Sequence, residues 1–225
     1  MSSELLSLLW TSLLETLEMV GISGVIGAVF GIPLGVALHI TGPRGVRPQR
    51  WFNAAAGLVV NAVRSTPFII LLVAVIPFTR YIVGSSIGTA AAVVPLAIAA
   101  IPFVARLVEN ALREVDPGLV ETAQAMGATQ FQIIVKVLLP ESFPGILAGL
   151  TVTFVSLVGY SAMAGAIGGG GLGDLGIRYG YQRFLPEVMA LVVLVLIVFV
   201  QLVQSAGDRL VLKISHQRHS SQESL

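Results

Sequence analysis

The chain has no cysteine, which removes disulfides and thiolate metal ligands from its chemistry. It has only three histidines, His39, His216 and His219, and none is placed to act as a buried base or to join carboxylates around a metal. Charged residues are scarce at 11% and almost cancel, leaving +1, so there is no basic surface for nucleic acid. No acidic side chain stands in the middle of an apolar run. Glu15, Glu18, Glu109, Glu141 and Glu187 lie at or near the ends of such runs, which argues against a proton-driven carrier. The four-glycine run at 168–171 is not followed by Lys-Ser/Thr and is no phosphate-binding loop, so nucleotide hydrolysis is not expected of this chain. Ser161, in Gly-Tyr-Ser-Ala, lacks the base a serine hydrolase requires. No internal repeat is visible, and the chain is short for a complete secondary transporter. A second copy is therefore expected to supply the other half of any pathway.

What the sequence does have is apolar length. Hydrophobic residues make up 55% of the chain, and spanning the hydrocarbon takes about 20 apolar residues in a helix. Residues 19–43, 81–105, 142–173 and 188–207 carry no Asp, Glu, Lys or Arg, and 54–79 is interrupted only by Arg64. The reading is an all-α polytopic membrane protein with five spans centred near Ile26, Ile69, Pro95, Val155 and Leu196. A closed β-barrel fits poorly, because these runs are continuous rather than alternating. Residues 1–10 lack the basic region of a signal peptide. Leu5, Leu8, Leu9 and Leu13 fall on one face and Trp10 suits the headgroup level, which predicts an amphipathic or interfacial start.

Positive charge sets the orientation. Arg44, Arg47 and Arg50 crowd the first loop, Arg106, Arg113 and Lys136 flank the third, and Arg209, Lys213 and Arg218 follow the last span. These regions are expected to be cytoplasmic, with the N-terminus outside and the C-terminus inside. Arg80, Arg178 and Arg183 on the outer loops are a smaller share, diluted by Asp174 and Glu187. One transmembrane domain over 1–215 and a polar, frayed tail over 216–225 complete the expected organisation.

Between the third and fourth spans lies a polar amphipathic island. Asp116 is a good N-cap and Pro117 a good first residue for a short helix reaching about Met126, which Gly127 should stop. Thr129 and Gln132 are spaced as a capping box opening a second short helix that Pro140 should close. Leu119, Ala123 and Met126 repeat at i, i+4, i+7 and form an apolar stripe that either packs on the chain's own helices or awaits a partner.

The residues at 121–140, E-T-A-Q-A-M-G-A-T-Q-F-Q-I-I-V-K-V-L-L-P, resemble the EAA loop of ABC-importer permeases: Glu-Ala-Ala, three residues, Gly, nine residues, Ile-x-Leu-Pro. Glu121, Ala123, Gly127, Leu139 and Pro140 fall on that spacing; Thr122 and Val137 are small departures. The stretch Leu157-Val158-Gly159-Tyr160-Ser161-Ala162-Met163-Ala164-Gly165-Ala166-Ile167, with its continuation to Tyr181, is similar to the methionine-uptake permeases in particular, and the likeness runs from about Glu15 to Arg209. The resemblance implies a type I ABC-importer permease fold, a homodimer, and a coupling loop at about 116–140 that docks on a separate ATPase. It further implies two copies of that ATPase, which hold the ATP and Mg, and an external binding protein delivering methionine, D- and/or L-, near 168–181. No cofactor is expected on this chain.

Within the spans, Gly21, Gly24, Gly27, Gly31 and Gly35 form a small-residue stripe read as close helix packing. Pro33, Pro67, Pro77, Pro95 and Pro102 are expected to kink or break the spans they interrupt. Arg64, in Arg-Ser-Thr-Pro, is read first as a snorkelling or paired cation, with Glu109 or Glu121 as its partner, ahead of a substrate contact. Tyr160, Ser161 and Met163 are the polar or bulky groups placed to gate a path between two copies, against ordinary packing as the alternative for Met163. A permease for another small polar solute, or an uncoupled channel or scaffold subunit, is the rival reading.

Overall fold

The computed structural model describes residues 3–43 and 45–222, with side chains over 4–43 and 45–214. Among the described residues every regular element is helical. Four helices are long and apolar enough to cross a membrane: α1 (Ser3–Thr41), α5 (Thr89–Arg113), the helix that leads into and includes α8 (Leu139–Ala164), and α10 (Pro186–Gln222). The second expected span is a bent pair: α2 (Arg50–Ser65) and α3 (Phe68–Ala74) meet at 106° across Thr66 and Pro67, and α4 (Ile76–Val83) follows. The count of five spans therefore holds only if this broken element is one of them.

Pro67 causes the break. It has no N–H to continue the ladder of α2, and it disfavours helical backbone at the residue before it. Thr66 is accordingly extended, at φ −81° and ψ 124°. Pro33, Pro95 and Pro102 instead lie inside continuous helices, which they do not break.

α5 is the central helix, buried along one whole side from Ala91 to Leu112. The glycine stripe of α1 lies on it: a Cβ on Gly27, Gly31 or Gly35 would sit 2.5–2.7 Å from atoms of Ala100, Ile101 or Ala105. Gly24 instead admits the ring of Phe154 from α8, and Gly21 faces open space. Met19, Val20, Phe68, Leu72, Leu96, Leu157 and Val158 form the core where α1, α3, α5 and α8 meet. By contrast only 11% of the spanning window of α10 is buried, so its apolar length is left for lipid or another chain.

The N-terminal turns do not form a separate interfacial helix. They continue into α1, where Leu5, Leu9 and Leu13 pack on Leu172, Leu175, Val188 and Val192; Leu8 and Trp10 point outward. The backbone of α10 is helical to Gln222, within the segment where fraying was expected; Arg44, the side chain of Arg218 and residues 223–225 lie outside the described residues.

Candidate functional site

The polar island folds as an elbow of two capped helices. The Asp116 carboxylate accepts from the Gly118 amide at 2.8 Å and starts α6 (Pro117–Ala125). Gly127 ends it at φ +79°, a backbone that side chains bearing a Cβ resist, with its amide on the Gln124 carbonyl and that of Ala128 on the Ala123 carbonyl. α7 (Gln130–Ile133) then opens with the full capping box: the Thr129 amide donates to the Gln132 side chain at 2.8 Å and the Gln132 amide to the Thr129 hydroxyl at 3.3 Å. Pro140, expected to close this second helix, does not. A wide turn at Ile134–Leu138 with i→i+5 bonding precedes it, and the helix continues through α8. Widening the turn ahead of a proline accommodates the missing donor and relieves the ring's clash with the preceding carbonyls.

The elbow is tethered from beneath and bare above. Val120, Ala123 and Ala128 pack on an inner core that includes Val108, Leu112, Ile133 and Leu138, and the Gln130 side-chain amide reaches the Val46 carbonyl at 3.4 Å. Of the expected stripe only Ala123 turns partly inward. Leu119 is 44% exposed and Met126 81%, with Phe131 at 73% beside them. Leu119, Ala123, Met126 and Gly127 line an open groove of about 660 Å³ that runs to Lys136 and Glu141. Glu121 is exposed and lines a neighbouring cleft of about 600 Å³ with His39, Glu109 and Arg113. Leu139 is half-buried against the inner core and Pro140 is exposed. Glu121, Ala123 and Gly127 thus share one elbow, while Leu139 and Pro140 stand at the root of α8.

Glu109 anchors this end, and its partners are not the expected ones. Its buried carboxylate accepts from Arg106 at 2.6 Å and from Arg113, and Arg106 also reaches Asn61 of α2 at 2.6 Å. The pairing of Arg64 with Glu109 therefore does not form; the guanidinium lies over the Phe103 ring, 6.0 Å from its centroid. The clasp was legible: Arg106, Glu109 and Arg113 have the i, i+3 and i, i+4 spacing of one helical face.

Of the three residues expected at a gate, Tyr160 and Met163 lie a turn apart on α8, and Met163 is 47% exposed. Tyr160 stacks on Phe68, just past the break of the second span, with centroids 4.5 Å apart and planes 9° apart. Ser161 is set apart from both: it is buried and its hydroxyl donates to the Val158 carbonyl at 2.8 Å.

At the opposite end, the glycine-rich segment turns through Gly168 and Gly170 into α9 (Gly171–Leu175) and folds on the first turns of α1. Glu15 accepts from the Gly171 amide at 2.7 Å and Thr16 from the Leu172 amide at 2.9 Å. These two caps were missed, since nothing local in the sequence joins residues 156 positions apart.

A helical bundle with membrane-length apolar helices and a capped, partly bare elbow at one end defines the class as a polytopic helical membrane protein. The chain belongs to the family described as binding-protein-dependent transport system inner membrane component, whose model matches residues 28–215. It is 58% identical over 210 residues to the probable D-methionine transport system permease protein MetI of Vibrio cholerae, covering 93% of each chain. It is 52% identical over 165 residues to the D-methionine transport system permease protein MetI of Escherichia coli K12, covering 73% of this chain and 76% of that one. Among solved structures it is similar to a chain of the inward-facing MetNI methionine ABC transporter, with 50% identity, a TM-score of 0.93, and 95% and 99% of the two chains covered. An amino acid ABC transporter crystallised with histidines shares the fold at 22% identity and a TM-score of 0.76.

Proposed function

We propose that this chain is the permease subunit of an ATP-driven importer that carries methionine, D- and/or L-, from the periplasm to the cytoplasm. The observation that carries the reading is its likeness, over 95% of its length and at 50% identity, to the membrane chain of a methionine ABC transporter. Two copies of the chain enclose one path, two ATPase subunits hold the ATP and Mg, and a periplasmic or lipid-anchored methionine-binding protein delivers substrate at the glycine-rich end. The chain itself binds no cofactor and does no hydrolysis. Its N-terminus faces the periplasm and its C-terminus the cytoplasm, in keeping with Arg113 and Lys136 in the clefts beside the elbow.

Residues 1–215 act as one transmembrane domain with a coupling loop at about 116–140 and a tail at 216–225. Glu121, Ala123 and Gly127 form the handle that the ATPase holds, and Leu139 and Pro140 pass its movement into α8. The bare apolar side chains of Leu119 and Met126 support this, because they sit on the part of the elbow left uncovered by its own protomer. Tyr160 and Met163 face the path, and Ser161, buried behind them, fixes the rotation of α8. ATP binding favours one of two arrangements of the helices by closing the ATPase pair on the two handles.

The test is reconstitution of the chain with its ATPase and binding protein in proteoliposomes. Uptake of radiolabelled methionine that requires both ATP and binding protein is expected. Flux without nucleotide would instead favour an uncoupled channel, and uptake of another solute in place of methionine would reassign the cargo.

A further inference from the structure

Resting on that reading, we propose that the pocket at the break of the second span is the carboxylate subsite for the transported amino acid, with Arg64 as its anion-binding residue. The pocket, about 90 Å³, is lined by Arg64, Thr66, Phe68, Phe103 and Tyr160, among others. A guanidinium on a membrane-spanning segment is costly unless something neutralises it. Among the described residues no carboxylate pairs with Arg64: Glu109, the acid within reach by sequence, is held by Arg106 and Arg113. What faces Arg64 is the ring of Phe103, 6.0 Å away, a contact that steadies a cation without cancelling its charge. The planar fork remains available for a carboxylate, which it matches with two parallel hydrogen bonds.

The surroundings fit an amino acid rather than an inorganic anion. Three aromatic rings, Phe68, Phe103 and Tyr160, join aliphatic side chains in the pocket wall, and the stacked Phe68–Tyr160 pair lies beside the point where the span changes direction by 106°. Its volume suits a head group, and Tyr160 in its wall lies one turn along α8 from exposed Met163, to which we assign the ligand's thioether as a soft, flexible contact. A subsite that grips only the carboxylate is also indifferent to the hand of the α-carbon.

The experiment uses the purified permease–ATPase complex without binding protein, so that selection upstream does not intrude. A diazirine analogue of methionine with a free carboxylate is photolysed on the complex, and labelled peptides of this chain are mapped. Label is expected in the α8 peptide containing Tyr160 and Met163. L-methionine should compete at roughly ten- to hundredfold lower concentration than L-methioninamide, whose carboxylate is masked. Arg64→Gln should cut the labelling about tenfold or more, and Arg64→Lys should cut it less. Should Arg64→Gln fail to co-purify with the ATPase, the competition arm on the unmodified complex and the Arg64→Lys variant still decide. Label confined to other peptides, equal competition by the amide, or undiminished labelling in either variant would overturn the subsite. ATP-driven methionine uptake by the unmodified assembly is measured in parallel: its absence removes the importer reading, whereas its presence with an indifferent amide removes only the subsite.

Discussion

The two ends of the bundle reach order by different routes. The elbow at 116–133 rests on the inner core, but its helix starts and stops come from contacts between residues two to five apart: the Asp116 cap, the Gly127 stop and the reciprocal Thr129–Gln132 bonds. The glycine-rich end is built from contacts between residues 156 apart, where Glu15 and Thr16 of α1 cap the buried start of α9. A locally coded elbow keeps its shape while its upper surface stays bare for a partner. The glycine-rich end has no such independence, and its shape is tied to the position of α1. If the elbow is the handle proposed above, that asymmetry suits it, because a handle must survive being pulled, while an end that takes its shape from the bundle moves when the bundle does.

The largest expected effect tests whether the elbow stands on a rigid base. Glu109→Ala removes the carboxylate shared by Arg106, 18% exposed, and Arg113, 58% exposed; because Arg113 can turn to water, a cost of about 3 kcal/mol, the low end for a broken buried pair, is expected. Thermal unfolding of the detergent-purified protein reads it, and a loss under about 1 kcal/mol would mean that the clasp does not hold α5.

Removing the long-range caps should separate the two ends. Glu15→Ala combined with Thr16→Val strands two amides at a cost of about 1–3 kcal/mol each. Hydrogen exchange should rise at 168–181 and stay unchanged at 116–133. A rise at both ends would show that the elbow depends on the far side after all.

Gly127→Val is expected to cost about 1–2 kcal/mol and to weaken ATPase co-purification, because the backbone there is left-handed while the space around it is open. Gly127→Asn should retain most of the coupling, since Asn tolerates that conformation. If Asn and Val behave alike, side-chain bulk against the ATPase rather than backbone shape is what matters. The smallest effect is Thr129→Ala, about 1 kcal/mol from loss of one cap, read as faster exchange confined to α7.

The same asymmetry explains how far the sequence could be read. Caps, stops and apolar length are local, so the spans, the elbow and its helix boundaries were visible in the residues themselves. A break at Pro67 was legible in the residue itself, but hydropathy carries no direction, so the 106° angle of the turn was not. Pro140 misled for a related reason: a proline ends a helix only if the preceding turn cannot widen, and that is settled by the packing of Ile133 and Leu138 on the inner core. Of the roles open to Arg64, pairing with Glu109 does not form, because the two arginines on the acid's own helical face are the nearer donors.

The most direct measurement exploits the absence of cysteine, which makes an introduced thiol unique. Met126→Cys is treated with a membrane-impermeant maleimide in spheroplasts and in inverted vesicles, with and without the ATPase. Labelling only in inverted vesicles, and protection when the ATPase is bound, is the result expected of a cytoplasmic handle gripped by its motor. Labelling from the outside, or labelling in inverted vesicles that the ATPase leaves unchanged, would contradict it.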